Sequence, residues 1–428
     1  MLLTLPVVLV ICLLVTCLLP ANAGGVGVPS VVGPFDLASL SKPPKTWDCP
    51  EVGPLGAKAL YYEGELNTPE LRERDRTSRV RTLYYEGVPF QGKPTRVFAY
   101  LGIPAVPAGG KVPGMVLVHG GGGTAFESWV RLWNARGYAA IAMDTCGCLP
   151  VGEYGKWQRS GVGGPEGWGG FDQMDWPVKD QWTYQAVSAV ILANSLLRAQ
   201  PEVDARRVGL TGISWGGYLT CIASGIDNRF RFSVPVYGCG FLGDDSAWLP
   251  EFEKMGPDKA ARWLKLWDPS EYLRGAAMPM LWVTGTNDFA YPMGSHRKSY
   301  RLPAGKRTLC IKVEMPHGHG GSGENPPEIR AFADSICLRG TPLASIGKQG
   351  HSADTAWVEF ASSSPVQRAE LVYTTDTGRW LDRKWHSIPA QAGARRAVAK
   401  PVDGTKAYYF NITSGEGLVV SSEYAEME

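Results

Sequence analysis

The 428-residue sequence lacks an excess of charge of either sign. Its 43 Lys and Arg residues nearly balance 41 Asp and Glu residues, which leaves a formal net charge of +2. There is thus no basic field to attract nucleic acid, and no nucleic-acid partner is expected. Charged residues make up 20% of the chain and apolar residues 44%, as in a folded globular protein. The length suits one large domain and a smaller one.

Charge is also missing from the first 20 residues, which are almost wholly apolar. Residues 21–23 read Ala-Asn-Ala, the small-x-small pattern that a signal peptidase recognises. We therefore expect a signal peptide over residues 1–23, cleaved after Ala23, and a secreted or periplasmic protein. The apolar run also approaches the length of a membrane span. An uncleaved anchor is the alternative, and only in that case would a membrane be a partner.

The chain lacks an even set of cysteines, since cleavage after residue 23 would leave seven of the nine. An odd number leaves at least one free thiol, and the spacings fit no disulfide framework. Cys146 and Cys148 are separated by one residue, which is not a zinc-ligand spacing. Cys310 and Cys337 fall in a predicted strand and the following helix, so a bridge between them stays open. No metal or other cofactor is expected.

The central part of the chain alternates short apolar runs with helical stretches. This alternation predicts an α/β fold, in which a mostly parallel sheet is flanked by helices. An antiparallel strand pair over 82–103 leads into the sheet, and the clearest helix covers 181–197. The predicted core strands cover 115–118, 139–143, 208–211, 232–237, 280–283 and 308–313. We assign 24–56 to an N-terminal arm or linker and 57–340 to one large α/β domain.

Helical patterns end near residue 340. Short alternating runs separated by Gly, Asp and Ser turns follow, and they predict a small all-β sandwich domain over 341–428. Trp380 and Trp385, close to the turn at 375–378, suggest a carbohydrate-binding surface. The alternative is a domain that only packs against the α/β domain and braces it.

The strongest chemical signal is at residues 212–216, which read Gly-Ile-Ser-Trp-Gly between a predicted strand and a predicted helix. A serine hydroxyl becomes a good nucleophile only when a base takes its proton. Glycines two residues before and after the serine allow a sharp turn, and strand–turn–helix is the context that the G-x-S-x-G motif requires. We predict that Ser214 is the nucleophile.

A second glycine-rich loop, at 119–123, reads His-Gly-Gly-Gly-Gly and follows a predicted core strand. In such a sheet this loop supplies one N–H of the oxyanion hole, and the residue after the nucleophile, here Trp215, supplies the other. We predict Gly121 or Gly122 as the loop donor and leave the choice open. A phosphate-binding loop is excluded because no Gly-Lys-Ser/Thr follows.

The acid and the base of the site should follow the serine in that order. Asp288 stands in the loop after the strand at 280–283 and is the predicted acid, with Asp244 and Asp245 as the fallback. It would hold the imidazole of the base and stabilise its protonated form. Among six histidines, elimination leaves His317 and His319, which follow the last core strand.

Of this pair the sequence favours His319 as the base, oriented by Asp288, because the glycines on either side of it make a flexible turn. His317 would then contact the substrate or pack beside the base. A Gly- and Trp-rich stretch at 147–178 is predicted to cover the active site as an insertion. Its tryptophans Trp157, Trp168 and Trp176 would bind substrate, unless they only fill a local core.

Together these stretches resemble the esterase branch of the α/β-hydrolase superfamily. The chain is similar to acetylxylan esterases, dienelactone hydrolases and prolyl-oligopeptidase-type catalytic domains over 80–340, although the dienelactone branch usually carries Cys where Ser214 stands. The resemblance implies hydrolysis of a small-molecule or polysaccharide ester through an acyl-enzyme. Flat tryptophan faces suit pyranose rings, which favours deacetylation of a carbohydrate. An exported serine peptidase is the alternative.

Overall fold

The computed structural model describes residues 31–54, 69–352 and 354–427. The predicted signal peptide over 1–23 and the domain boundary at residue 57 lie outside these residues. In the part of the chain that is described, every helix is too short or too polar to cross a bilayer.

The described residues form strands β1 to β22 and helices α1 to α12. In chain order the strands are β1 Val31–Val32, β2 Phe35–Asp36, β3 Thr46–Asp48, β4 Arg79–Glu86, β5 Arg96–Ile103, β6 Val112–Val118, β7 Ala139–Met143, β8 Cys148–Glu153, β9 Lys156–Arg159, β10 Val203–Ile213, β11 Phe232–Val236, β12 Met280–Gly285, β13 Arg307–Lys312, β14 Ser345–Ser352, β15 Thr355–Ala361, β16 Val366–Thr374, β17 His386–Pro389, β18 Gln391–Ala392, β19 Arg396–Ala399, β20 Ala407–Ser414, β21 Leu418–Ser421 and β22 Ala425–Glu426. The helices are α1 Leu37–Leu40, α2 Pro69–Thr77, α3 Glu127–Ala135, α4 Trp182–Arg198, α5 Trp215–Ile226, α6 Leu242–Asp245, α7 Leu249–Met255, α8 Pro257–Trp267, α9 Ser270–Leu273, α10 Met293–Tyr300, α11 Gly321–Glu324 and α12 Pro327–Cys337.

The centre of the molecule is a sheet whose parallel strands lie in the order β13-β12-β11-β10-β6-β7, with β5, β4 and β3 added antiparallel at one edge. Every residue of β7 and of β12 is buried, as expected for strands covered by helices on both faces. The predicted α/β fold is therefore confirmed. The carboxyl ends of β6, β10, β12 and β13 bring the candidate site loops to one edge of the sheet.

The described part of the N-terminal arm packs onto this sheet. Strand β3 pairs with β4, and the fully buried Phe35 stacks on Tyr184 of α4 with their ring centroids 5.2 Å apart. Residues 31–54 are thus an integral layer of the catalytic part. The sequence did not indicate this, because it shows little regular patterning there.

The C-terminal region forms two antiparallel layers. One is the separate sheet β14-β15-β19-β18, and the other contains β17, β16, β20 and β21. Apolar residues between the layers, among them Val358, Phe360 and Leu371, make a second hydrophobic core. The second layer is continuous with the central sheet, because β21 pairs with β13 at Leu309 and Ser421. This pairing covers what would otherwise be an open edge of the parallel sheet.

Trp380 and Trp385, the tryptophans suggested to bind carbohydrate, are buried in this region. The rings of Trp380 and Trp385 stack with their centroids 6.2 Å apart, and they pack in one cluster with Met293 and Tyr409. Neither indole offers an open face to a sugar. The two residues on which the suggested carbohydrate-binding surface was based are therefore not available to bind one. They join the sandwich to the catalytic part instead.

The bridge left open between Cys310 and Cys337 is not present, because both are free thiols. Cys310 is buried in β13, and burial raises the pKa of the Cys337 thiol to about 12. A thiol with so high a pKa carries almost no thiolate near neutral pH and is a poor nucleophile.

Candidate active site

Ser214 stands on a sharp turn between β10 and α5. Its backbone has φ 57° and ψ −116°, a strained conformation for a residue other than glycine. Ser214 is half-buried, while its neighbours on both sides are buried. A Cβ on Gly212 would lie 2.3 Å from the carbonyl oxygen of Gly216, and one on Gly216 would lie 2.0 Å from that of Val118. The turn therefore needs glycine at both positions.

The loop at 119–123 lies beside this turn. A Cβ built on Gly120 would be 3.1 Å from Ser214 Cβ, and one on Gly121 would be 2.9 Å from Trp215 Cδ1. Within the described residues, the N–H groups of Gly121 and Gly122 donate to no partner. The N–H of Trp215 belongs to the first turn of α5, where no intrahelical acceptor exists. Two of the three predicted oxyanion donors, Gly121 and Trp215, are thus brought together, and Gly122 follows directly in the loop.

The hairpin β8–β9 holds the same loop from the other side. Tyr154 Oη donates to Gly121 O at 2.8 Å, and Trp157 Nε1 donates to Gly122 O at 2.8 Å. In a trans peptide the C=O and the next N–H point in opposite directions. Holding the carbonyl of Gly121 with Tyr154 therefore directs the N–H of Gly122 away from the hairpin. The stretch at 147–178 contacts the site through this hairpin.

The loop after β12 presents Asp288, whose buried carboxylate accepts three hydrogen bonds. Its Oδ1 accepts the N–H groups of Ala290 at 2.9 Å and Tyr291 at 2.7 Å. Its Oδ2 lies 2.7 Å from Nδ1 of His317. The neighbouring Asn287 donates through Nδ2 to two carbonyl oxygens of the sandwich, Leu381 O at 2.8 Å and Arg383 O at 2.6 Å.

His317 is held in place on two sides. Its ring stacks on Tyr237 with the centroids 4.3 Å apart, and Tyr237 Oη donates to Pro316 O at 2.6 Å. A carboxylate can only accept, so the Nδ1–H of His317 is the donor to Asp288. Within the described residues, Nε2 of His317 has no hydrogen-bond partner. This nitrogen is therefore an available proton acceptor.

His319 has a different environment and a different acid. Its Nδ1 lies 2.9 Å from Oε1 of Glu324, and its Nε2 accepts the N–H of Gly120 at 3.0 Å. Burial lowers the pKa of His319 to about 3 and raises the pKa of Glu324 to about 8. Both ring nitrogens of His319 are thus occupied, and the ring is neutral near pH 7.

These contacts correct the expected pairing of the acid with a histidine, and they also locate the fallback acids. Asp288 orients His317, and the prediction that it orients His319 is wrong. The two histidines are only two residues apart, so the sequence could not show which ring faces the acid. The fallback acids Asp244 and Asp245 lie in α6 at the surface, where Asp244 pairs with Lys298 at 2.7 Å. Glu324 was missed, since it belongs to no motif.

The three tryptophans predicted to bind substrate make different contacts. Trp157 is half-buried and bonds to the oxyanion loop, as described above. The Trp168 ring packs on His119 with the centroids 5.6 Å apart, and Trp176 packs on Phe90 at 6.2 Å. The contacts of Trp168 and Trp176 are those of packing residues.

Two aromatic residues that the sequence did not single out are open to solvent at the site. Tyr154 is 58% exposed, and its ring lies 6.1 Å from that of His319. Phe289 is 57% exposed, and its ring lies 4.7 Å from that of His317. Both rings are therefore accessible to a ligand that enters the site. The position of Phe289 directly after the acid was the one signal available in the sequence.

The parallel sheet, the turn at Ser214 and the glycine loop beside it are arranged as in serine hydrolases that have the α/β-hydrolase fold. Residues 169–334 match the prolyl oligopeptidase family of peptidases. A protein of Bacillus subtilis (strain 168), described as the uncharacterized peptidase YuxL, is 25% identical over 308 residues. The match covers 64% of this chain and 42% of that protein, so the chain spans less than half of that relative's length.

Solved structures show the same fold. An acetyl xylan esterase from Paenibacillus sp. R4 superposes with a TM-score of 0.54 at 18% sequence identity. The superposition covers 70% of this chain and 92% of the esterase. The superfamily resemblance predicted from the sequence is thereby confirmed.

Proposed function

We propose that this protein is an exported serine esterase in which Ser214, His317 and Asp288 form the catalytic triad. The observation that carries the proposal is the state of His317: a buried carboxylate holds its Nδ1, and its Nε2 is uncommitted. That is the arrangement a general base needs beside a serine nucleophile. In His319, by contrast, the lone pair of Nε2 is occupied by the N–H of Gly120. His319 is therefore not the base.

The proposed reaction follows from these positions. Ser214 Oγ attacks the acyl carbon of the ester while Nε2 of His317 takes the hydroxyl proton. The carbonyl oxygen becomes an oxyanion, which the N–H of Trp215 and the N–H of Gly121 or Gly122 stabilise. His317 then gives its proton to the departing alcohol. Water hydrolyses the acyl-enzyme by the same steps, and Asp288 stabilises the protonated imidazole throughout.

The favoured substrate is an acetylated carbohydrate. Its support is the pair of exposed rings, Tyr154 and Phe289, which flank the two histidines and suit the apolar faces of a sugar. The solved relative named as an acetyl xylan esterase has this fold over 92% of its length. A secreted location, expected from residues 1–23, agrees with a polysaccharide substrate.

A serine peptidase is the second candidate. The match of residues 169–334 to a peptidase family and the peptidase description of the Bacillus relative favour it. The same triad would serve, with an amine as the leaving group in place of an alcohol.

A substrate panel separates the two candidates. We expect turnover of acetylated xylo-oligosaccharides and ethyl acetate, and none of peptide p-nitroanilides, as measured by acetate release and by absorbance. Cleavage of the anilides without any acetate release would replace the esterase proposal with the peptidase. Turnover of ethyl acetate without turnover of any acetylated glycan would remove the carbohydrate from the proposal and leave the esterase.

Replacing Phe289 by alanine should weaken sugar binding selectively. Loss of one ring face is worth about 0.5–1.5 kcal/mol, so KM for an acetylated oligosaccharide should rise about 2- to 13-fold. KM for ethyl acetate, which has no ring to stack, should stay unchanged. Initial-rate kinetics on both esters measure the difference. Val402→Ala, at an exposed apolar residue of the sandwich, is the matched control. An equal rise in KM for both esters would contradict a sugar-stacking role.

A further inference from the structure

The peptide groups of Gly120 lie between two histidines. Its N–H donates to Nε2 of His319 at 3.0 Å, and its carbonyl oxygen lies 3.0 Å from Nδ1 of His119. The carbonyl also accepts the N–H of Gly123 at 3.1 Å, which closes the turn of the loop. Both backbone polar groups of one glycine are thus held by imidazole rings that the proposed triad does not use.

The hydrogen bonds define the proton positions on both rings. His119 Nε2 accepts the N–H of Thr145 at 3.0 Å, so its proton is on Nδ1 and is donated to Gly120 O. His319 Nε2 accepts the N–H of Gly120, so its proton is also on Nδ1 and is donated to Glu324. His119 is buried and His319 is half-buried, and loss of solvent around each ring lowers its pKa. The rings therefore stay neutral, as these bonds require.

Gly120 cannot be held by a side chain of its own. A Cβ there would lie 2.6 Å from the carbonyl oxygen of Ile213 and 3.3 Å from His319 Nε2. The loop must therefore be oriented through its backbone. Because C=O and the next N–H of a trans peptide are opposed, holding Gly120 O directs the N–H of Gly121 away from His119. Oxyanion stabilisation depends on donors that are oriented before the reaction begins.

We infer that His319, supported by Glu324, is a positioning residue that fixes the oxyanion loop through the N–H of Gly120, with His119 holding the carbonyl of the same residue. This inference rests on the proposed function, since it assigns the loop its role in that reaction. The Glu324 backbone N–H donates to Gly320 O at 2.8 Å, so the acid that supports His319 is itself fixed by a turn. The ring of Phe126 lies 4.8 Å from that of His319 and limits its movement.

The test compares His319→Ala with His319→Gln. In the alanine variant kcat for ethyl acetate should fall about 10- to 100-fold with little change in KM, because a misplaced oxyanion donor costs less than a deleted one. The glutamine Oε1 can accept the N–H of Gly120 and should recover part of that loss. The pH at which kcat/KM begins to fall on the acidic side should not move, because the base is still His317.

A ketone inhibitor reports on the oxyanion directly. In 1,1,1-trifluoro-2-butanone, Ser214 Oγ bonds to the carbonyl carbon, the carbonyl electron pair passes to oxygen, and the serine proton passes to His317. Its inhibition constant should weaken in His319→Ala by the same 10- to 100-fold factor, whereas KM stays near its original value. Glu324→Ala should weaken it in the same direction, because His319 loses its support.

His386→Ala, at an exposed histidine of β17, is the matched control and should leave both constants unchanged. Wild-type kcat and ketone affinity in His319→Ala would overturn the inference, as would loss of the acidic limb together with all activity. If the alanine variants fail to fold, His319→Gln is the deciding variant. It should lose ketone affinity by a smaller factor, and the acidic limb of its kcat/KM profile should not move. A ketone inhibition constant equal to that of the wild type would overturn the inference. Full esterase activity in Ser214→Ala would instead refute the proposed function.

Discussion

Ser214→Ala is expected to lower kcat for an ester by about 10⁵- to 10⁶-fold, because no other group can form the acyl-enzyme. The residual rate should come from the oxyanion donors alone. The turn should survive, since alanine is smaller than serine and the glycines around it are unchanged. Acetate release in a long time course measures the remaining rate.

The matched control is Ser387→Ala, at an exposed serine of β17, which should retain full activity. A fluorophosphonate probe should label the wild-type protein and the control but not Ser214→Ala. Near-wild-type ester hydrolysis by Ser214→Ala would show that the nucleophile is elsewhere.

His317→Ala should have the second-largest effect, a fall in kcat of about 10⁴- to 10⁶-fold. Asp288→Asn should lower kcat by about 10⁴-fold, because the amide can donate to Nδ1 and stabilise the wrong tautomer. Residues that act as a unit are not additive. The double variant of Ser214 and His317, both to alanine, should therefore be no slower than Ser214→Ala alone.

His319→Ala serves as the control for His317→Ala, since both remove an imidazole from the same loop. We expect the effect at position 317 to exceed that at position 319 by at least about 100-fold. The reverse order, with His319 the more costly loss, would return the base to the histidine that the sequence favours.

The fold could be predicted because its signals are local. Strand β7 was predicted with its observed limits, 139–143, since a strand buried on both faces is a continuous apolar run. The sandwich strands were likewise visible as alternating runs. The pairing of the sandwich with the central sheet was not visible in the sequence, because Leu309 and Ser421 are more than a hundred positions apart.

The sequence could predict which types of residue form the site, but not which histidine faces the acid. The turn at Ser214 needs glycines at fixed offsets, which is a sequence property. The choice between His317 and His319 depends on the path of the loop, which includes positive φ angles of 47° at Glu314 and 82° at Gly320. The exposed ring of Tyr154 and the carboxyl of Glu324 reach the site only through the folded chain.

The contact of Asn287 with the sandwich makes the acid loop a shared structure. The residue before Asp288 is bonded to two carbonyl groups, at 381 and 383, that lie on the other side of the junction. The sandwich thus helps to hold the acid loop in place. Replacing the sandwich with another domain, or losing it, would remove the two hydrogen bonds that hold the loop of Asp288. It would also leave β13 as an unpaired edge strand of the central sheet. The two halves are therefore expected to evolve together.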